Sequence, residues 1–231
     1  MTQKLQLKDG RSVTVRSLMI EHLDEILTLQ QKVIAALTTD SFLQPLSAEE
    51  YSSILNGNGM MIGAFSGDEL IAFRAMLEPD IEDEEHLGKD ARLPKEDWHR
   101  ILYSEITNVD PDFRGNGLQS ILGNILLVEI DTTRYHYICT TVAPFNIASL
   151  KDKFSLGFQI VALKEKYGTL LRYIMMREVN PQAKNGYCEQ RLVEMGEIEE
   201  QQVLLEAGWV GAGMTMHDGK WWIQLEKSNH S

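Results

Sequence analysis

Residues 103–119, Tyr-Ser-Glu-Ile-Thr-Asn-Val-Asp-Pro-Asp-Phe-Arg-Gly-Asn-Gly-Leu-Gln, hold the densest arrangement of groups able to do chemistry. A strand at 102–109 runs into a turn carrying Gly115 and Gly117, then directly into an apolar helix through Leu118, Ile121, Leu122, Ile125 and Leu126. Glycines at a helix start let the backbone approach a ligand closely. The unpaired N–H groups of the first turn and the helix dipole then favour an anion, typically phosphate. Arg114 adds a positive charge at the same place. On the strand, a period of two puts Glu105, Thr107 and Val109 on one face. A half-buried Glu105 would have its pKa raised toward neutrality and serve as a general base; the alternative is a salt bridge at the sheet surface. A glycine-rich turn after a strand is common and usually structural, so this segment alone does not set a function.

Other reactive residue types are easier to dismiss. His22, His86, His99, His136, His217 and His230 form no HExxH pair and show no Cys/His ligand spacing, so no metal site is expected. His86 and His99 flank an acidic loop, where a solvated histidine and a substrate contact are the two readings. Cys139, in the middle of a strand, reads as a small buried hydrophobe rather than a nucleophile. There is no Gly-x-Ser-x-Gly elbow.

The positioning elements follow from periodicity. A first strand is expected at 12–16 and a helix from Ile20 to Leu37. Ser47-Ala48-Glu49-Glu50 has the capping-box form for a second short helix. Two strands at 60–65 and 70–77 make a hairpin. Residues 79–97 are polar, acidic and contain two prolines, and read as a long surface loop with one helical turn. After the helix at 118–128 come a strand at 137–142, a helix capped by Asn146 and ended by Gly157, and a hairpin at 158–163 and 169–178. Residues 180–186 are the linker candidate. Beyond them lie a short strand at 192–195, a helix at 198–207, and strands at 209–216 and 221–225 joined through Asp218-Gly219.

The chain has 231 residues, enough for a sizeable core without disulfide staples, and its two cysteines fit a reducing compartment. Its 34 acidic against 22 basic residues, −12 in all, oppose sequence-independent binding to nucleic acid. No apolar stretch has the length of a membrane span or the form of a signal peptide, so neither a membrane nor a nucleic-acid partner is expected, and the expected place is cytoplasmic.

The spacing Val109-x-Pro111-x-x-Arg114-Gly115-x-Gly117, followed at a fitting distance by the strand 137–142, by Asn146-Ile147-Ala148-Ser149 and by Leu156-Gly157-Phe158, resembles the GNAT superfamily of acyl-CoA-dependent N-acyltransferases. The order of elements from 12 to 178 matches too, about three quarters of the chain. The resemblance implies an α+β (α/β) GNAT fold: a central mixed, mostly antiparallel sheet with a splayed strand pair, flanked by helices. Residues 1–179 would be that domain, 180–186 the linker and 187–231 a small C-terminal αββ extension, packed on the domain or at a homodimer contact. It further implies acetyl-CoA as co-substrate. The strand 102–109 would splay from 137–142, backbone groups near Val109 would hold the thioester carbonyl, and Arg114, Gly115, Asn116, Gly117, Leu118, Gln119 and Ser120 would bind the pyrophosphate. Asn146 and Ser149 would contact the coenzyme, and Glu105 would be the catalytic base. The expected activity is transfer of acetyl to a primary amine, a small cationic molecule being the favoured acceptor. The alternatives are acetylation of a protein amine, or a catalytically silent acyl-CoA-binding module. Two positions depart from the family pattern: Gln119 stands where Gly or Ala is usual, and Lys153 stands where many members carry a tyrosine that protonates the leaving thiolate.

Overall fold

The computed structural model describes residues 2–37, 44–181 and 187–228. Most of the linker expected at 180–186, and His230, lie outside them. The chain folds as two units, one from residues up to 78 with 102–130, the other from 79–101 with 131 onward.

In the first unit β1 (Thr2–Gln6), β2 (Ser12–Ser17), β3 (Gly59–Ser66), β4 (Glu69–Leu77) and β5 (Ile101–Val109) pair antiparallel in chain order. The first strand is therefore β1 and not the one expected at 12–16. Four of its five side chains are exposed, so it shows no apolar alternation, and its backbone is held by the ladder from Thr2↔Arg16 to Gln6↔Ser12. Strand β4 is buried along its whole middle because both its faces are covered. Helices α1 (Leu23–Ala35) and α2 (Ala48–Leu55) pack on one face, and α4 (Leu118–Glu129) packs on β3 and β4 with Leu118, Leu122 and Leu126 buried.

The helices form where spacing and caps agree. Buried Ile26, Leu29, Gln30 and Val33 make one stripe of α1, and Asp24, Glu25 and Lys32 sit at the ends that the dipole favours. Helix α2 starts on the reciprocal bonds of Ser47 and Glu50 that the sequence predicted. Under them Leu18, Ile26, Leu29, Val33, Tyr51, Ile54, Met61, Phe65, Phe73 and Ile106 form one core. Gln30 is the polar residue built into it. Its side-chain amide donates to the Leu46 carbonyl at 2.8 Å and accepts from the Leu46 N–H at 3.2 Å and the Tyr51 hydroxyl at 2.5 Å. A side chain thus does what a neighbouring strand would do for Leu46.

In the second unit β6 (Tyr137–Val142), β8 (Leu170–Glu178), β7 (Gln159–Lys166), β10 (Val210–His217), β11 (Lys220–Ser228) and β9 (Tyr187–Glu194) are neighbours in that order, all antiparallel. The segment from 187 is thus βαββ rather than αββ: β9 begins five residues before the strand expected at 192–195, its exposed residues 189–192 masking it as an edge. The β10–β11 hairpin joins β7 through Gly211↔Ile160, where a Cβ on Gly211 would lie 2.9 Å from the Ile160 Cβ. Helix α5 (Ile147–Ser155) packs on β10 and α6 (Ile198–Glu206) on β7. The acidic stretch expected as a surface loop holds α3 (Leu87–Asp90) and a 3-10 turn at Lys95–Arg100, with His86 and Leu87 buried.

Gln30→Leu should destabilise the protein by about 2–4 kcal/mol, because it strands two backbone groups and a hydroxyl at once. The urea midpoint should fall with an unchanged slope. A midpoint within error of the parent would show that the amide carries none of this.

Candidate active site

Strand β5 is built around an irregularity. It pairs with β4 from Val109↔Ala72 to Ile106↔Ala75, then resumes at Ser104↔Met76, so Glu105 has no residue opposite it. Such a bulge re-aims the backbone and raises the local twist. It also interrupts the alternation that would put Glu105 in phase with Thr107 and Val109. Ile106 joins the core under α1 and α2, whereas Ser104 accepts a hydrogen bond from Arg74 at 3.2 Å. Glu105 is exposed rather than half-buried. Its charge reaches the buried Tyr51 hydroxyl, whose pKa is raised first by burial and then by Glu50 and Glu105.

The turn after β5 is fixed from three sides. Asp110, 1% exposed, donates its N–H to the Ile71 carbonyl at 2.8 Å and accepts from the Asp112 N–H at 2.9 Å. Lys32 on α1 reaches Asp110 at 2.7 Å and Asp112 at 3.1 Å, and these bonds raise the lysine's pKa. Buried Phe113 lies 3.7 Å below the Arg11 guanidinium. Asn116 donates to Asp9 at 2.8 Å and to the Phe113 carbonyl at 3.1 Å, and accepts from the Asp9 N–H at 3.2 Å. Arg11 in turn holds the Asp9 carboxyl well below the usual carboxylate range.

These contacts leave a loop of exposed Arg114, Gly115 and Gly117 at the start of α4. Gly117 is the N-cap, left-handed at φ 76°, and offers no side chain to the first turn. The first helical bond runs from the Ile121 N–H to the Gly117 carbonyl at 3.0 Å, so the N–H groups ahead of it face outward from the helix end. Of the expected cofactor residues, Val109 and Arg114 to Ser120 are thus contiguous in the first unit. Arg114, Gly115 and Gly117 are outermost, Asn116 is buried with its side chain engaged, and Leu118 is in the core. Gln119 turns its carbonyl to Arg74 at 3.0 Å. Asn146 and Ser149 belong to the second unit, where the Asn146 side-chain oxygen Oδ1 accepts from the Ser149 N–H at 3.2 Å and caps α5. Lys32, Asp9, Arg11 and Arg74, which shape the loop, were not signalled by the sequence.

In the second unit Lys153 is buried, its ammonium 5.4 Å from the Phe158 ring. Burial pushes the Cys139 thiol up to about 12, as suits a small core residue. Two acids of the acidic stretch are paired with lysines of β7: Lys166 reaches Asp90 and Glu85 at 2.9 Å each, and Lys164 reaches Asp90 at 2.9 Å. His86 is neither solvated nor open to a substrate. It is fully buried, stacked on Trp98 at 4.4 Å, and accepts from the Gly88 N–H at 3.1 Å. Among the described residues no group of His, Cys, Asp and Glu is arranged to hold a metal ion. No described helix is long and apolar enough to cross a membrane.

No family model matches the chain, and no curated protein matches its sequence. Solved structures do match its fold. The GNAT domain of S. lividans PAT superposes with a TM-score of 0.53 at 14% identity, over 77% of this chain and 96% of that one. The ribosomal-protein-S18-alanine N-acetyltransferase from Escherichia coli gives 0.55 at 18% identity, over 76% and 99%. The protein yncA from Salmonella typhimurium, solved with its cofactor acetyl-CoA, gives 0.54 at 16% identity, over 76% and 99%. At these identities the likeness is one of fold.

Burial, above all, lowers the pKa of His86, against the opposing charge of Asp83. The unfolded chain therefore takes up a proton near pH 6.5 that the folded chain refuses, so this contribution is complete above that pH and is lost as pH falls through it. Denaturant titrations at pH 7 and pH 5.5 should show a larger loss for the parent than for His86→Phe. Equal losses would assign the effect to other groups.

Proposed function

The chain has the GNAT fold, and from it we propose that it is an acetyl-CoA-dependent N-acetyltransferase acting on a primary amine by direct attack on the thioester. The observation that carries this reading is the uncapped N-terminus of α4 at left-handed Gly117, exposed beside Arg114 at the end of a bulged β5. An anion fits there: outward N–H groups and the positive end of the helix dipole meet at it, and exposed Arg114 lies three residues before the cap. The space beside Gly115 is open, since a Cβ there would meet nothing within 4 Å.

The coenzyme supplies acetyl as a thioester. The chain's own groups bind its pyrophosphate through Arg114 to Ser120 and hold the carbonyl oxygen near Val109, where a preorganised N–H stabilises the charge that develops. In the second unit Asn146 and Ser149 are the proposed coenzyme contacts. An ammonium has no lone pair, so the acceptor must first give up a proton. Glu105 is the proposed base, directly or through a water, and its exposure at the bulge lets solvent carry the proton away. Nitrogen then bonds to the carbonyl carbon, the C–S bond breaks, the nitrogen gives its second proton to solvent to leave a neutral amide, and the thiolate takes a proton from Lys153 or water. The acid surplus of −12 favours a small cationic acceptor. A protein amine is the second reading, because a ribosomal-protein-alanine acetyltransferase shares the fold.

Acetyl-CoA at about 100 times its dissociation constant should stabilise the protein by roughly 2.7 kcal/mol in thermal unfolding. Gly117→Glu should abolish the shift, since it puts a strained residue and a like charge at the phosphate. No shift with the parent protein up to millimolar coenzyme would sink the reading. With an amine that releases thiol in hand, Glu105→Gln should lower kcat/KM by about 10²–10⁴ and remove the acid limb of its pH profile. An unchanged profile would mean that Glu105 is not the base.

A further inference from the structure

The β1–β2 turn is part of the loop in space though it lies about a hundred residues away in the chain. The Leu7 N–H donates to the Arg11 carbonyl at 2.8 Å and the Gly10 N–H to the Leu7 carbonyl at 3.0 Å, which closes the turn. Asp9 at its tip is bonded twice to Asn116, at 2.8 and 3.2 Å. The residue beside Asp9 is Lys8, and its Cε lies 3.9 Å from where a Cβ on Gly117 would be. The lysine arm thus runs past the N-cap of α4.

The cations around the loop differ in what they do. Arg11 is bonded to Asp9 at 2.6 and 2.9 Å and to the Asp112 carbonyl at 2.9 Å. Lys32 is bonded to Asp110 and Asp112. Both are used to hold the turn. Lys8 and Arg114 make no ion pair among the described residues, in a protein where carboxylates outnumber cations 34 to 22. A fixed anchor next to a free ammonium, over a helix end that already favours an anion, is an arrangement for a phosphate.

We propose that Lys8 is a phosphate-binding residue of the coenzyme site, its ammonium pairing with the coenzyme pyrophosphate across the N-terminus of α4. This rests on the coenzyme reading above and adds to it a ligand from outside the glycine-rich loop. The Asp9–Asn116 pair is then a positioning device, and Asn116 serves the coenzyme by orienting Lys8 rather than by touching phosphate with its side chain.

The test is calorimetric binding of coenzyme A and of dephospho-coenzyme A, which keeps the pyrophosphate and lacks the 3′-phosphate. Lys8 is exposed, so Lys8→Gln should fold as the parent does. It should weaken both ligands by the same factor, roughly fivefold at low salt, with the difference shrinking in high salt. Lys8→Arg should restore affinity. Asp9→Ala should reduce the effect of Lys8→Gln in a double-mutant cycle. A loss confined to coenzyme A would overturn the proposal by moving Lys8 to the 3′-phosphate. Unchanged affinity for both ligands would overturn it while leaving the coenzyme reading intact. Failure of the parent to bind either ligand would overturn the coenzyme reading itself.

Discussion

A carboxylate with 1% of its surface exposed has to be neutralised, and Asp110 is such a carboxylate at the point where β5 becomes the turn. Its N–H is spent on β4, one oxygen on the turn's own backbone at Asp112, and the other on Lys32 of α1. The same group therefore ties the sheet, the first helix and the entry to α4. Pro111 follows with its φ already set, so the chain arrives at Arg114 extended and then turns through two left-handed glycines. The outward N–H groups of α4 are a consequence. The side-chain cap that a helix start normally receives goes to the preceding turn instead, and Gly117 has nothing to offer its own helix.

What was readable in advance were features that depend on near neighbours. The capping box at Ser47 and Glu50, Asn146 as N-cap, Gly157 after α5 and the Asp218-Gly219 turn are local rules, and each holds. The loop 110–117 was readable for the same reason. What was not readable depends on partners far along the chain. Strand β1 is exposed on nearly every side chain and exists because β2 offers it a ladder. The stretch 79–97 is mostly exposed, as its charges indicate. The burial of residues 86–88 and Asp90 within it was not readable, since the partners of Asp90, Lys164 and Lys166, come 74 and 76 residues later. His86 looks like a loop histidine until Trp98 closes over it. The bulge at Glu105 leaves no trace in composition, since a one-residue slip in register changes pairing and not residue type.

The charge distribution shows why a protein at −12 can still present a positive spot. Asp9, Asp110 and Asp112 sit within bonding distance of the loop but are held by Arg11 and Lys32, and their oxygens are turned into the turn's own hydrogen bonds. Local field near a helix end falls off within a turn and within a Debye length of about 8 Å at physiological salt. The remaining surface acidity is thus largely screened from the loop, while Arg114 is in place beside it.

Gln119 is the remaining departure from the motif, and its backbone carbonyl is held by Arg74. A helical carbonyl points toward the C-terminus and its N–H toward the N-terminus, so a residue in the first turn can serve two partners at opposite ends. The Gln119 carbonyl takes the fully buried Arg74 at 3.0 Å, which also bonds Ser104 on β5 at 3.2 Å. The guanidinium thereby pins the first turn of α4 to the strand next to the bulge, from inside the unit. A small residue at this position would keep side-chain bulk away from a bound phosphate; in this chain the turn is held by its backbone, and the half-buried Gln119 side chain leaves the N–H direction unchanged. The buried guanidinium also places a full positive charge beneath a helix end that has a partial one, and charges in the interior are screened less than those at the surface. One arginine on β4 thus holds the turn through a backbone atom that any residue at 119 would offer.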